Sequence, residues 1–144
     1  MKTEIRNIAY DTPDYYKAVE LRDKILRKPL GMVFTKEFLS QDSSDLIIGI
    51  FEDNKILGVL HLKPLDAGTL KMRQVAVDNS LQGKGLGSKL VQYSEESARK
   101  KKYTKIVLHA RETAVKFYKN LNYTIEGDRF EEVGIPHFKM HKLL

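Results

Sequence analysis

The run Val75-Ala76-Val77-Asp78-Asn79-Ser80-Leu81-Gln82-Gly83-Lys84-Gly85-Leu86-Gly87-Ser88-Lys89-Leu90 sets three alternate glycines between an apolar strand pattern and an amphipathic helix pattern. Glycine permits positive φ and carries no Cβ, so successive backbone N–H groups can converge on an anion that lies close against the chain. The start of the helix supplies further unpaired N–H groups and about half a positive charge, which suits a pyrophosphate. Lys84 and Lys89 add flexible positive charge. A plain connecting turn would not need three glycines, whose conformational freedom is costly to fix.

Two familiar phosphate loops fail on spacing. The G-x-x-x-x-G-K-[ST] loop is absent, because Ser88 stands five residues after Gly83. The dinucleotide pattern G-x-G-x-x-G breaks at the same serine, and the next strand, Lys105 to His109, ends without the carboxylate that would hold a ribose. What remains is Q-x-x-G-x-G after a V-A-V strand and before a helix.

The flanking pattern predicts a mixed α+β fold. Glu4 to Ile8 reads as a first strand, followed by a helix capped by Thr12 with Pro13 in its first turn and Tyr15, Ala18, Val19, Arg22, Ile25 and Leu26 on one face. Pro29 and Gly31 end that helix, and Thr35 to Leu39 makes a short helix or a loop. Leu46 to Phe51, Ile56 to Leu62 and Leu70 to Val77 form an antiparallel meander over turns at Asp53-Asn54 and Asp66-Ala67-Gly68. After the glycine turn, Leu86, Leu90, Val91, Ser94 and Ala98 make one helical stripe, and Lys105 to His109 returns as a parallel strand. A shorter helix from Thr113 to Leu121 and strands near Tyr123 to Ile125 and Pro136 to Met140 complete the chain.

The 144 residues suit one domain over 1–144. The absence of cysteine excludes disulfides, thiolate metal sites and an acyl-cysteine intermediate. No apolar run is long enough to span a membrane or serve as a secretory segment, so the expected address is the cytoplasm, with no membrane partner. The net charge of +6 suits nucleic acid or a phosphate-rich ligand. The densest basic run, Arg99 to Lys102, has no interleaved aromatic residue for base stacking and falls at a helix end, so no nucleic-acid partner is expected. The histidines show no H-x-x-x-H spacing, and no metal is expected.

Met72 to Leu90 resembles the acetyl-CoA-binding motif of the GCN5-related N-acetyltransferases (GNAT superfamily), whose core reads [RQ]-x-x-G-x-[GA]. Phe117-Tyr118-Lys119-Asn120-Leu121-Asn122-Tyr123 resembles the later F-Y-x-x-x-G-[FY] motif, and Gly134-Ile135-Pro136-His137 is similar to the ending of one subgroup. The resemblance implies a mostly antiparallel sheet of about six to seven strands with about four helices and a parallel pair splayed at the cofactor site. It implies that Val75, Ala76 and Val77 offer backbone groups to the pantetheine arm of acetyl-CoA, and that Gln82, Gly83, Lys84, Gly85, Leu86, Gly87 and Ser88 wrap the pyrophosphate. Two positions depart from the family: Arg111 stands where many members carry a cofactor-contacting asparagine, and Asn122 replaces the glycine before Tyr123. Asparagine tolerates the left-handed backbone of a helix end.

The resemblance further implies direct transfer of an acetyl group from acetyl-CoA to a primary amine, small-molecule or peptide, in a ternary complex. Tyr118 then matches the position of the general acid for the leaving thiolate. Main-chain amides of Val75 to Val77 would stabilise the oxyanion. A lysine-like acceptor, neutral only about once in 2,500 molecules at pH 7, needs a base far more than an α-amine does. Candidates are His137, Glu131, Glu132, His61, Glu20 and Asp66, with His137 the substrate-side choice. The competing class is a non-catalytic acyl-CoA sensor or interaction module, and either is compatible with a homodimer.

Overall fold

The structure, a computed structural model, describes residues 2–144. Strand β1 (Glu4–Ile8) leads to helix α1 (Pro13–Arg22), whose start is fixed by the Thr12 hydroxyl accepting from the Tyr15 amide. The helix then widens into a π-turn over Asp23–Arg27 and tightens into a 3-10 turn, Lys28–Leu30, which Gly31 ends at φ +67°. Thr35 caps the short α2 (Lys36–Ser40), and a 3-10 turn, Gln41–Ser44, enters the sheet.

Strands β2 (Leu46–Glu52), β3 (Lys55–Pro64) and β4 (Thr69–Val77) form the expected antiparallel meander, and β1 pairs on its outer edge. Helix α3 (Leu86–Lys100) crosses over to β5 (Lys105–Arg111), which lies parallel to β4. After α4 (Val115–Asn120) come β6 (Thr124–Ile125), β7 (Phe130–Glu132) and β8 (Ile135–Leu143). The sheet order is β1-β2-β3-β4-β5-β8-β6, with β7 paired to β8 beside that path. The eight strands exceed the expected six to seven by β7, a three-residue, largely exposed strand whose Phe-Glu-Glu sequence carries no alternation to reveal it.

The two sheet faces bury separate clusters. All five residues of the α3 stripe are buried, and Leu86, Leu90, Val91 and Ala98 pack on Ile48, Leu60, Leu62, Met72, Ile106 and Leu108. On the other face α1 lays Tyr15, Ala18 and Leu21 over Ile47, Phe51 and Val59. The basic run ends α3, with Lys101 as its cap and Lys102 at φ +70°. Asn122 adopts φ +71° and closes α4, while the Tyr123 amide donates back to the Tyr118 carbonyl at 3.0 Å. Among the described residues, no helix is long and apolar enough to cross a membrane.

Candidate active site

A break in the sheet builds the site. Register passes from His61↔Arg73 to Val59↔Ala76, so Gln74 and Val75 together face the single residue Leu60, and Gln74 bulges at φ +54°. Parallel pairing of β4 with β5 stops at Met72↔Leu108, yet β4 runs on to Val77 and β5 to Arg111. The strands therefore part beyond Met72. The Asp78 amide donates to the Leu57 carbonyl at 2.9 Å, and the Ala76 carbonyl lies over Gly58. Successive strand amides alternate, so those of Val75 and Val77 face the opening while that of Ala76 faces β3. The buried Ala76 side chain joins the core under α1.

The glycines of the turn divide by role. Gly83 and Gly85 adopt φ +83° and +80°, the left-handed backbone that L side chains rarely take, and space is open around both. Gly87 lies inside the first turn of α3, where a Cβ would stand 3.2 Å from the Phe117 ring. It sets the approach of α4, and so of Tyr118, to α3. The first helical bond at this end runs from the Lys89 amide to the Gly85 carbonyl at 3.1 Å. Among the described residues, the amides of Gly83, Gly85, Leu86, Gly87 and Ser88 have no backbone or side-chain acceptor. Gln82 turns its side-chain amide to the Val77 carbonyl and to Asn79, bracing the turn from within. Lys84 is exposed, Ser88 is half-buried, and the Leu86 side chain is part of the core.

A cleft of about 900 Å³ runs from this turn across the parted strands, lined by Val75, Gln82, Tyr118, Glu132 and His137 among others. Tyr118 is buried, and burial pushes its phenol pKa well above the ordinary value, so the hydroxyl keeps its proton. His137 donates from Nδ1 to the Ile135 carbonyl at 2.8 Å, which leaves Nε2, 3.6 Å from Glu132, as the ring's basic atom. His109 reaches the other oxygen of Glu132 at 3.0 Å. Burial pushes the Glu132 carboxyl up, but the His109 hydrogen bond and the charges of His109, His137 and Lys71 outweigh it and hold the pKa below its usual value. Glu132 presents itself through a tight turn in which Val133 (φ +48°) and Gly134 (φ +72°) are both left-handed, a strained state for a β-branched residue.

The other base candidates lie elsewhere. Asp66 caps the Gly68 amide on an exposed turn, and Glu131 is exposed on β7 outside the cleft lining. Glu20 is exposed on α1, also away from the lining. His61 is fully buried in a polar network that sequence reasoning did not foresee. In it Asp42 accepts from Tyr15 Oη (2.7 Å), Arg22 Nη1 (2.7 Å) and Arg73 Nη1 (3.2 Å), and Arg73 also pairs with Asp45. His61 donates from Nδ1 to Asp45 at 3.0 Å and turns Nε2 to Arg22 Nη1 at 3.4 Å. An imidazole nitrogen facing a guanidinium N–H is an acceptor, so this ring is neutral despite its carboxylate neighbours. Burial, the larger influence, likewise lowers its pKa.

Asp42, Asp45 and His61 offer three atoms within 4.8 Å of one another, close enough to hold a cation. Arg22 and Arg73 already compensate the two carboxylates, so the cluster reads as a structural ion network rather than a metal centre. Arg22 Nε also donates to Gln74 Oε1 at 3.2 Å, which ties the network to the bulge. The sequence signal was Arg22 itself, a cation on the apolar stripe of α1 that demands a buried partner.

A bulged strand parts from its parallel neighbour above an amide-rich helix start, and comparison with known proteins identifies the family that shares this fold. The family model described as Acetyltransferase (GNAT) domain matches residues 19–144. The chain belongs to the GNAT acetyltransferase family. It is 30% identical over 93 residues to the uncharacterized protein YyaT of Bacillus subtilis, a stretch of 65% of this chain and 62% of that protein. A crystal structure from Lactobacillus plantarum superposes with TM-score 0.89 at 22% identity, covering 100% of this chain and 99% of the other. A GNAT family acetyltransferase from Elizabethkingia anophelis, solved with acetyl-CoA bound, gives TM-score 0.77 at 21% identity over 99% and 98% of the two chains.

Proposed function

We propose that residues 1–144 form one catalytic unit, an N-acetyltransferase of the cytoplasm that carries an acetyl group from acetyl-CoA directly to a primary amine in a ternary complex. The observation that carries this reading is the coincidence, in one cleft, of the parted β4–β5 pair, the unpaired turn amides and the proton-bearing Tyr118. The bound acetyl-CoA of the Elizabethkingia anophelis relative supports the donor.

The residues divide the work. The amides of Gly83, Gly85, Leu86, Gly87 and Ser88 receive the pyrophosphate at the positive end of α3, while that of Lys84 stays on the Leu81 carbonyl. The open edge of Val75 and Val77 hydrogen-bonds the pantetheine arm, and an amide of that edge receives the developing oxyanion. Tyr118 donates to the leaving thiolate; burial weakens the phenol as an acid, and the same burial makes a thiolate emerging beside it a stronger base than it is in water. His137, through Nε2 and with Glu132 beside it, takes the proton of the attacking amine.

The test is release of CoA thiol from acetyl-CoA with a panel of amines. With no cysteine in the chain, a thiol reagent reads product alone. Amine-dependent release supports the enzyme. Tight CoA binding without release on any amine favours the alternative, a non-catalytic acyl-CoA sensor.

A further inference from the structure

The cleft is basic beyond what the protein's own carboxylates offset. Arg27, Lys63, Lys71, Arg73 and Arg111 line it, and Glu132 is its one acidic residue among the described residues. Arg73 is taken up by Asp42 and Asp45. Arg27, Lys63, Lys71 and Arg111 have no carboxylate within ion-pair distance among the described residues.

Arg27 is also held in place. Its guanidinium stands 4.8 Å from the Phe34 ring centre and 4.7 Å from that of Phe38, and Nη1 reaches only the Met32 sulfur, at 3.8 Å. Aromatic faces fix the plane of an arginine while leaving its N–H edge free for a planar or tetrahedral anion. Burial, then the charges of Arg22, Arg73 and Arg111, lowers the Arg27 pKa, so these cations are near enough to repel one another. Half-buried like charges are stabilised when an anion enters between them. Arg27 belongs to the π-turn after α1 and shares the Phe38 ring with Arg73, which precedes the Gln74 bulge, whereas the glycine turn follows the far end of β4. The coenzyme phosphates and Arg27 therefore occupy different ends of the cleft, while Arg111, three residues past the last β4–β5 pair, stands between them.

We propose that the acceptor is an amine that also carries an anionic group, a carboxylate or a phosphate, seated against the free edge of Arg27. The proposal rests on the acetyltransferase reading and narrows it: polycationic amines are poor acceptors, and amino acids or phosphorylated amines are good ones.

Matched pairs test it by thiol release: 2-aminoethyl phosphate against ethanolamine, β-alanine against its amide, and an amino sugar phosphate against the free amino sugar. The anionic member is expected to show at least about 10-fold higher kcat/KM, and Arg27→Gln to bring that ratio toward one, since the charge-assisted contact to the arginine is what separates the pair. Independently, inorganic phosphate titrated into protein saturated with CoA should bind saturably in NMR spectra, and Arg27→Gln should abolish it. Carboxylate and phosphate acceptors are separated by which pairs discriminate. Neutral or polycationic amines used as well as the anionic ones, or no saturable phosphate binding, overturns the anionic acceptor and leaves the acetyltransferase reading in place. No release with any amine overturns both.

Discussion

Replacing Asp42 with asparagine tests whether the buried network is what seats the segment after α1 on the sheet. Asp42 and Arg22 are both fully buried and meet at 2.7 Å. Asparagine keeps the volume and removes the charge, so Arg73 retains Asp45 but Arg22 is left with no carboxylate within ion-pair distance among the described residues, and Nη2 of Arg22 has no acceptor even before the change. Removing one partner of a buried ion pair costs about 3–5 kcal/mol, chiefly by leaving the other charge uncompensated. For a chain of this size that corresponds to a fall in Tm of about 10–15 °C.

Urea unfolding measures the cost, and a cycle with Arg22→Met isolates its origin. Once the guanidinium is gone, Asp42→Asn should cost at least about 2 kcal/mol less than it does in the unaltered protein. Because Arg22 also holds Gln74 at the bulge, KM for the acceptor should rise in the single variant before global unfolding intervenes. A single-variant cost under about 1 kcal/mol, or additivity within about 0.5 kcal/mol, would refute the network as an energetic unit.

Further outcomes follow from other parts of the structure. Gly85→Asp should abolish measurable CoA binding in calorimetry while costing only about 1 kcal/mol of stability, since the Cβ meets open space and only the positive φ is strained; undiminished affinity would remove the turn from the phosphate site. Tyr118→Phe should lower kcat by about 10²-fold while CoA affinity changes little, because general acid catalysis is worth about 10²–10⁴-fold; unchanged turnover would take the acid role from Tyr118. His61, buried neutral, has a folded pKa below its unfolded one, so the unfolded chain binds the extra proton. Stability should accordingly be full above about pH 6.5 and decline as pH falls below it, and His61→Gln should flatten that slope in thermal melts.

Where pattern and backbone chemistry decide the outcome, the sequence was a sufficient guide. The α3 stripe, the meander turns, the Thr12 cap and the left-handed Asn122 each rest on local geometry, and each stands where its residues predict. The parting of β4 from β5 was implied by family resemblance, and its local cause, the bulge at Gln74, has no residue-level signature because glutamine rarely takes positive φ. The segment Met32 to Ser44 resisted reading because its fold is set by long-range partners: Asp42 gains meaning only opposite Arg22 and Arg73, which are 20 and 31 residues away. His61 and His137 look alike in sequence, yet one is sealed in an ion network and the other lines the cleft. Tertiary burial separates them, and strand periodicity carries no information about it.

The most direct trial of the central claim is an amide-resolved NMR titration with CoA. Binding on the turn predicts that the backbone resonances of Gly83, Gly85, Leu86, Gly87 and Ser88 move together and saturate at one concentration, with Val75 and Val77 following the same curve. If CoA saturates the protein while those amides stay unshifted, the diphosphate is held elsewhere and the site described here is not the donor site.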